Sequence, residues 1–213
     1  MTLRIAEIFR SLQGESSHAG RPCVFIRLAG CNLDCAWCDT AYAKKGGRNM
    51  PLPSILRAVR RFRCPLVEIT GGEPLLQPGA VTLMKKLLER GYRVLLETNG
   101  SLSLKTVPAG VIKIVDIKTP GSGMAASFDL SNLGCLRKHD EVKFVIADAR
   151  DYRYAKAFLR KHKLAIKCAC LFSPAQPGLK PARLAEWIVR DNLPVRLNLL
   201  LHKILWPNRK RGI

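Results

Sequence analysis

Three cysteines fall within eight residues, Cys31-Asn-Leu-Asp-Cys35-Ala-Trp-Cys38, and a loop this tight lets three thiolates converge on one inorganic centre. Thiolate is a ligand both of zinc and of iron–sulfur clusters. A structural zinc site asks for four ligands, usually as two separated pairs. No second CxxC or HxxxH pair exists: Cys168-Ala-Cys170 has the wrong spacing, and His18, His139, His162 and His202 are scattered. Three thiolates on a cubane leave one iron open to a small molecule, so the spacing favours a 4Fe–4S centre on Cys31, Cys35 and Cys38. Cys23, Cys64 and Cys135 read as ordinary small residues. Cys168 and Cys170 would share one face of a strand as packed core thiols.

Two further groups invite chemistry. In Gly71-Gly72-Glu73-Pro74 the glycines permit close backbone approach and Glu73 is a carboxylate. Arg27 interrupts the apolar run Val24–Leu28, where a charge must be paired internally or face a ligand.

Such groups need a scaffold. Strands are expected near Cys23–Leu28, Leu66–Thr70, Arg93–Thr98, Val111–Ile117, Glu141–Ala147, Ile166–Phe172 and Val195–Leu201, where apolar and β-branched residues cluster. Helical patterns lie between them, near Pro51–Phe62, Gln77–Arg90, Tyr152–His162 and Pro181–Asp191; Val81, Met84, Leu87 and Leu88 share a face before Gly91 ends it. Alternating strand and helix predicts a parallel sheet with crossover helices. The expected fold is α/β, an open partial (β/α) barrel of about six or seven mostly parallel strands, in a single domain over residues 1–213. Ligands of such folds bind at the carboxyl ends of the strands. Gly30–Thr40, Gly71–Pro74, Asn99–Gly100, Asp116–Lys118 and Ser173–Pro174 all fall there.

Composition narrows the class. Nearly half of the 213 residues are hydrophobic, enough for a substantial core. Charges interrupt the first fifteen residues, so neither a signal peptide nor a membrane span is expected, and the protein reads as cytoplasmic. The formal net charge is +20, which favours polyanions or acidic proteins as partners. The cations are nevertheless spread, from Arg57–Arg63 and Lys85–Arg93 to Arg150–Lys167 and Arg209–Arg211, and no aromatic interleaving marks a base-stacking platform. A solvated basic surface is therefore expected, and no nucleic-acid site.

The cysteine loop, with Trp37 just before its third cysteine, resembles the CxxxCxxC loop of the radical S-adenosylmethionine superfamily, and Gly71–Pro74 resembles that superfamily's GGEP element. Further segments resemble the 7-carboxy-7-deazaguanine synthase family: Glu7–Phe9, Ser11–Glu15, Gly20–Pro22, Phe25–Leu33, Trp37–Thr40, Gly71–Gln77, Glu97–Gly100, Asp116–Lys118 and Leu201–Lys203. The likeness covers nearly the whole chain. Ser16 stands where the family often has glycine, and the stretch from Gly121 to Cys135 is short.

That resemblance implies radical ring contraction of 6-carboxy-5,6,7,8-tetrahydropterin with loss of ammonia, in deazapurine (queuosine) biosynthesis. It further implies a 4Fe–4S cluster, S-adenosylmethionine used as a cofactor, Mg2+, a homodimer and an electron donor such as a flavodoxin. Carried over residue by residue, it assigns Cys31, Cys35 and Cys38 to the cluster and Thr40 to Mg2+. Trp37, Cys38, Asp39, Gly72, Glu73, Asp116, Ile117, Lys118, Ser173, Pro174, Ala175 and Gln176 are assigned to S-adenosylmethionine. Leu12, Gln13, Gly14, Glu15, Arg27, Thr70 and Pro207 are assigned to the pterin. Plainer roles stand beside these: a turn for Leu12–Gly14, a helix cap for Glu15, an internal salt bridge for Arg27, β propensity for Thr70 and a loop hydrogen bond for Thr40. Glu97 and Asn99 belong to the same rim at lower rank, and His202 reads equally as a packed residue. A glycyl-radical activating enzyme would share the cysteine loop and GGEP without needing Ser11–Glu15 or Arg27. A basic zinc- or cluster-bearing nucleic-acid-binding protein would cleave no S-adenosylmethionine.

Overall fold

The apolar runs become strands. In the computed structural model, which describes every residue except Pro177, Lys210 and Ile213, the strands are β1 (Thr2–Leu12), β2 (Pro22–Leu28), β3 (Arg48–Pro51), β4 (Leu66–Gly71), β5 (Arg93–Thr98), β6 (Ile112–Asp116), β7 (Glu141–Ile146), β8 (Ala169–Pro174) and β9 (Arg196–Leu197). They form one sheet in the order β3-β1-β2-β4-β5-β6-β7-β8-β9. From β2 to β9 every pairing is parallel; β1 runs antiparallel to both β2 and β3. The edge strands β3 and β9 do not pair with each other, so the barrel is open, as expected.

Two strands, β1 and β3, were not expected. β1 carries Arg4, Glu7 and Arg10, and only Leu3 and Ile5 are buried along it, so its strand pattern is diluted by charge. β3 is four residues long, without β-branched side chains. The expected strands Ile166–Phe172 and Val195–Leu201 are both trimmed. Lys163 takes φ +50° and starts a short helix through Lys167, leaving Ile166 83% exposed. After β9 the chain turns into another helix at Leu201.

The helices are α1 (Leu52–Arg61), α2 (Gly79–Leu88), α3 (Ala149–Lys161), α4 (Leu164–Lys167), α5 (Pro181–Arg190) and α6 (Leu201–Leu205). Ile55 and Val59 of α1 and Leu83, Met84 and Leu87 of α2 pack on Val24, Ile26, Val67, Ile69, Val94 and Leu96. Tyr152, Ala155 and Leu159 of α3 with Leu184 of α5 cover Val142, Phe144, Ile146, Cys170 and Phe172. Cys168 and Cys170 are thus buried in the helix-covered core, as the pattern implied. Asp148 caps α3 by accepting from the Arg150 and Asp151 N–H groups.

Side chains alternate across a strand, so if Val and Ile face the helices, the intervening residues face the concave side. Toward the carboxyl ends most of those residues are polar, among them Arg27, Glu68, Thr70, Glu97, Asp116, Lys143 and Ser173. The register sets Arg27 beside Thr70, Asp116 beside Lys143, and Val145 beside Ser173.

Candidate active site

The concave face encloses a cavity of about 820 Å³ at the carboxyl ends of the parallel strands, within the range of small-molecule sites. At one end lies the cysteine loop. Cys31, Cys35 and Cys38 are half-buried and line the cavity. The loop is anchored where Gly30 N–H donates to Ala43 O (2.8 Å) and Ala36 N–H to Ser122 O (3.1 Å). Thr40 Oγ1 sits 3.9 Å from Cys38 Sγ. Among the described residues no three His, Cys, Asp or Glu side chains close on one metal ion; a cubane asks its thiolates to stand further apart than a single ion does.

Gly72 meets this loop. A Cβ there would lie 2.1 Å from Gly30 O and 2.8 Å from Cys31 Cβ, so only glycine brings the backbone this near the cysteines. Glu73 does not itself line the cavity. Its side chain is 0% exposed and accepts from Thr98 Oγ1 (2.9 Å), Asn99 N–H (2.8 Å) and Leu75 N–H (3.0 Å). The carboxylate braces the ends of β4 and β5 from behind and does not reach into the cavity for an ammonium. Ile117 lies between Asp116 and Lys118 with its side chain in the core and its N–H donating to Lys143 O (2.9 Å).

The other residues assigned to S-adenosylmethionine do border the cavity: Trp37, Asp39, Gly72, Asp116, Lys118 and Ser173 through Gln176. Asp116 supplies a test of fit. Its Oδ2 takes Lys118 Nζ at 2.8 Å, but Oδ1 is buried and has no hydrogen-bond partner among the described residues. An orphaned acceptor in a cavity wall is costly unless a ligand donates to it. The thiolate loop, the glycine cradle and this acceptor suit a cluster and a ligand bearing hydroxyl or ammonium donors.

The opposite end is a charged chamber. Arg27 Nε binds Glu7 Oε1 at 2.9 Å, and its side chain is 12% exposed on the cavity. The Tyr42 hydroxyl donates to the same Glu7, the Gly212 N–H donates to Glu7 Oε2 (3.3 Å), and Arg211 stacks 4.6 Å over the Tyr42 ring. The internal salt bridge is therefore real, yet it occupies only one nitrogen of Arg27. Deeper in, Gln13 donates to Glu68, and Lys143 Nζ reaches Glu15 Oε2 at 2.7 Å and Glu97 Oε1 at 2.5 Å. Burial, then Glu97 and Glu15, push the Glu68 carboxyl well above the ordinary carboxylate range.

The loop between β1 and β2 and the C-terminal segment close this chamber. Gly14 O accepts from Leu201 N–H (2.9 Å), and a Cβ at Gly14 would stand 2.4 Å from His202 Nδ1. Lys203 pairs with Asp39 at 3.3 Å. Leu12, Gln13, Gly14, Glu15, Thr70 and Pro207 all line the cavity. Glu97, Asn99 and His202 join them on the wall. Lys143, Glu68, Tyr42 and Arg209 were not anticipated; Lys210, in the expected basic tail, lies outside the described residues. The signal that finds Glu68 and Lys143 is the one that marks Arg27, a charge at an alternate position of an apolar strand.

Comparison with known proteins places the chain. A model of the Radical SAM superfamily matches residues 25–114. The chain is 47% identical over 226 residues to the 7-carboxy-7-deazaguanine synthase of Koribacter versatilis, covering 99% of this chain and 100% of that one. It is 46% identical to the one of Chlorobaculum tepidum, covering 99% and 97%. The chain belongs to the 7-carboxy-7-deazaguanine synthase family. The crystal structure of QueE from Escherichia coli shares the fold, with a TM-score of 0.78 at 24% identity over 95% of both chains. Streptococcus suis SuiB bound to S-adenosylmethionine matches with a TM-score of 0.59 at 15% identity, over 80% of this chain and 48% of that one. As a radical S-adenosylmethionine protein, this member of the synthase family works with a 4Fe–4S cluster and S-adenosylmethionine on a small-molecule substrate. Among its described residues no helix is long and apolar enough to cross a membrane.

Proposed function

We propose that the chain contracts the ring of 6-carboxy-5,6,7,8-tetrahydropterin to 7-carboxy-7-deazaguanine, releasing ammonia, in 7-deazapurine (queuosine) biosynthesis. The observation that carries this reading is one cavity with a thiolate loop at one end and, at the other, an arginine facing a row of carboxylates. Such a chamber suits a flat heterocycle with an anionic group on one side and N–H donors on the other.

Cys31, Cys35 and Cys38 hold the cluster, and Trp37, Asp39, Gly72, Asp116, Lys118 and Ser173 to Gln176 hold S-adenosylmethionine against it. When bound, these two groups supply a one-electron cleavage that yields a hydrogen-abstracting radical. The chain's own part is positional. Arg27 receives the substrate carboxylate, Gln13, Glu15 and Thr70 fix the ring edge, and Leu12, Gly14 and Pro207 close over it, which keeps water away from the rearranging ring. The whole chain, residues 1–213, acts as one domain. The reading includes a homodimer in the cytoplasm, with no nucleic-acid partner. It also includes an acidic electron donor such as a flavodoxin, which a net charge of +20 would steer toward the protein.

The test is anaerobic reconstitution with iron and sulfide, followed by assay with the carboxylated tetrahydropterin, dithionite and S-adenosylmethionine. The expected result is 7-carboxy-7-deazaguanine with one ammonia per product. Cleavage of S-adenosylmethionine without any deazapurine would defeat the substrate assignment.

Thr40 carries the magnesium reading. Its hydroxyl borders the cavity beside the third cysteine, and magnesium takes hard oxygen ligands while retaining waters, so one hydroxyl plus a substrate carboxylate makes a partial shell. Thr40→Ala should remove the stimulation of turnover by magnesium while uncoupled cleavage of S-adenosylmethionine persists. A variant with undiminished magnesium dependence would leave Thr40 only its contact with Cys38.

A further inference from the structure

One charged group in the chamber belongs neither to the cysteine loop nor to the anion-accepting end. Lys143 lies mid-way along β7, its side chain 4% exposed, with its ammonium 2.7 Å from Glu15 Oε2, 2.5 Å from Glu97 Oε1 and 3.8 Å from Asp116 Oδ2. Burying an ammonium is costly unless it is paired and its three N–H donors are satisfied, and one carboxylate with neutral acceptors would do that. Here carboxylates arrive from three separate elements, the loop after β1, β5 and β6, and all three border the cavity. Glu15 and Glu97 each give the ammonium one oxygen. The second oxygen of Glu97 accepts from Thr70 at 3.3 Å, and the second oxygen of Glu15 accepts from none of the described residues.

We propose that Lys143 is a specificity-determining positioning residue, which holds Glu15 and Glu97 together as ionised acceptors for a substrate edge with adjacent N–H donors, such as the 2-aminopyrimidinone edge of a pterin. This deepens the ring-contraction reading and rests on it. The electrostatics of the chamber require such a cation. Glu15, Glu68 and Glu97 crowd together, with Asp39 and Asp116 nearby; Arg27, Lys118 and His202 face them from the other walls. Carboxylates this close cannot all ionise in a partly dry cavity without a partner. Burial pushes the Glu97 carboxyl up, and Lys143, with Arg27 and Lys118, outweighs it and holds it at about 2; burial, with Glu97, leaves the Glu15 carboxyl raised, and Lys143 pulls it back down. Burial likewise would lower Lys143, and Glu15, Glu97 and Asp116 together keep it well above the ordinary lysine value. Remove the ammonium, and a proton takes its place on one of the two carboxyls, presenting a donor where the substrate edge needs an acceptor.

The experiment compares wild type, Lys143→Met and Lys143→Arg as reconstituted holoenzymes. Two ligands are titrated by fluorescence, 6-carboxypterin and the same ring without its exocyclic amino group, and kcat/KM for the carboxylated tetrahydropterin is followed against pH. Wild type should prefer the aminated ligand by about a hundredfold, the scale of charge-assisted hydrogen bonds left unmade. Lys143→Met should prefer it by no more than about threefold, with the acid limb of kcat/KM moved to higher pH. Lys143→Arg, which keeps the charge, should retain most of the preference. A purely structural lysine would weaken both ligands alike and leave the acid limb in place, and that result overturns the proposal. Should Lys143→Met fail to fold, Lys143→Gln, which keeps hydrogen-bond donors without the charge, carries the same expectations. A wild type that neither turns over the tetrahydropterin nor prefers the amino group defeats the ring-contraction reading. A wild type that does both, beside a Lys143→Met enzyme that matches it, defeats only the role of Lys143.

Discussion

Alanine at any one of Cys31, Cys35 or Cys38 will take turnover below detection and strip the cluster's visible absorbance, while alanine at Cys168 or Cys170 will do neither. Three thiolates for three irons leave no spare ligand in the loop. The remaining thiols cannot stand in: Cys168 and Cys170 are buried with Phe172 and Leu184 in the helix-covered core, and Cys135 packs against the same core. Cys23 and Cys64 are buried in the other core, where each thiol donates to a backbone carbonyl. The expected cost of Cys168→Ala or Cys170→Ala is about 1 kcal/mol of folding stability, from a small cavity. Iron content and absorbance after anaerobic reconstitution decide the matter. A folded Cys168→Ala protein that binds no cluster would show the ligand assignment to be mistaken.

Arg27→Leu has the second largest expected effect, and it falls on substrate affinity. Losing a charge-assisted contact to a buried carboxylate removes about 2–3 kcal/mol, so KM for the carboxylated pterin should rise about a hundredfold. Stability should fall much less, because Glu7 keeps the Tyr42 hydroxyl and the Gly212 N–H as donors. The two readings of Arg27, internal ion pair and anion receptor, then separate by magnitude. Steady-state kinetics beside equilibrium unfolding makes the comparison. A KM within about twofold of wild type, with stability lowered by the amount of a lost ion pair, would reduce Arg27 to a strut for Glu7.

What the sequence reveals depends on how local the cause is. Strands β2, β4, β5 and β7 are legible because Val, Ile, Leu and Phe crowd into buried parallel positions. β1 hides because charges interrupt it on both faces, Glu7 paired with Arg27 on the cavity side and Arg4 and Arg10 exposed. The cysteine loop is legible because its three thiols lie within eight residues end to end. The position of Lys143 is marked by its charge, but its pairing is not legible, since Glu15 lies 128 positions away and only the fold brings the loop after β1 over β7. Glu73 shows the reverse case. The motif marks the position, but which way its carboxylate turns is settled by Thr98 and Asn99, the strand end it braces.

The loop that closes the chamber also dates it in the life of the chain. Ser16 N–H is bonded to Asn198 Oδ1, 182 positions away, and Ser17 N–H to Glu141, 124 positions away, while Gly14 waits for Leu201. During synthesis the cysteine loop leaves the ribosome complete within the first forty residues. The walls that seal the chamber exist only when nearly the whole chain has emerged, and bonds across such separations are the slow ones to form. The three cysteines are thus in place early, on a local segment, and the enclosed space for radical chemistry is assembled last. A chain that ends at Leu197 has its thiolates and all nine strands, but no closed room in which a radical could be kept.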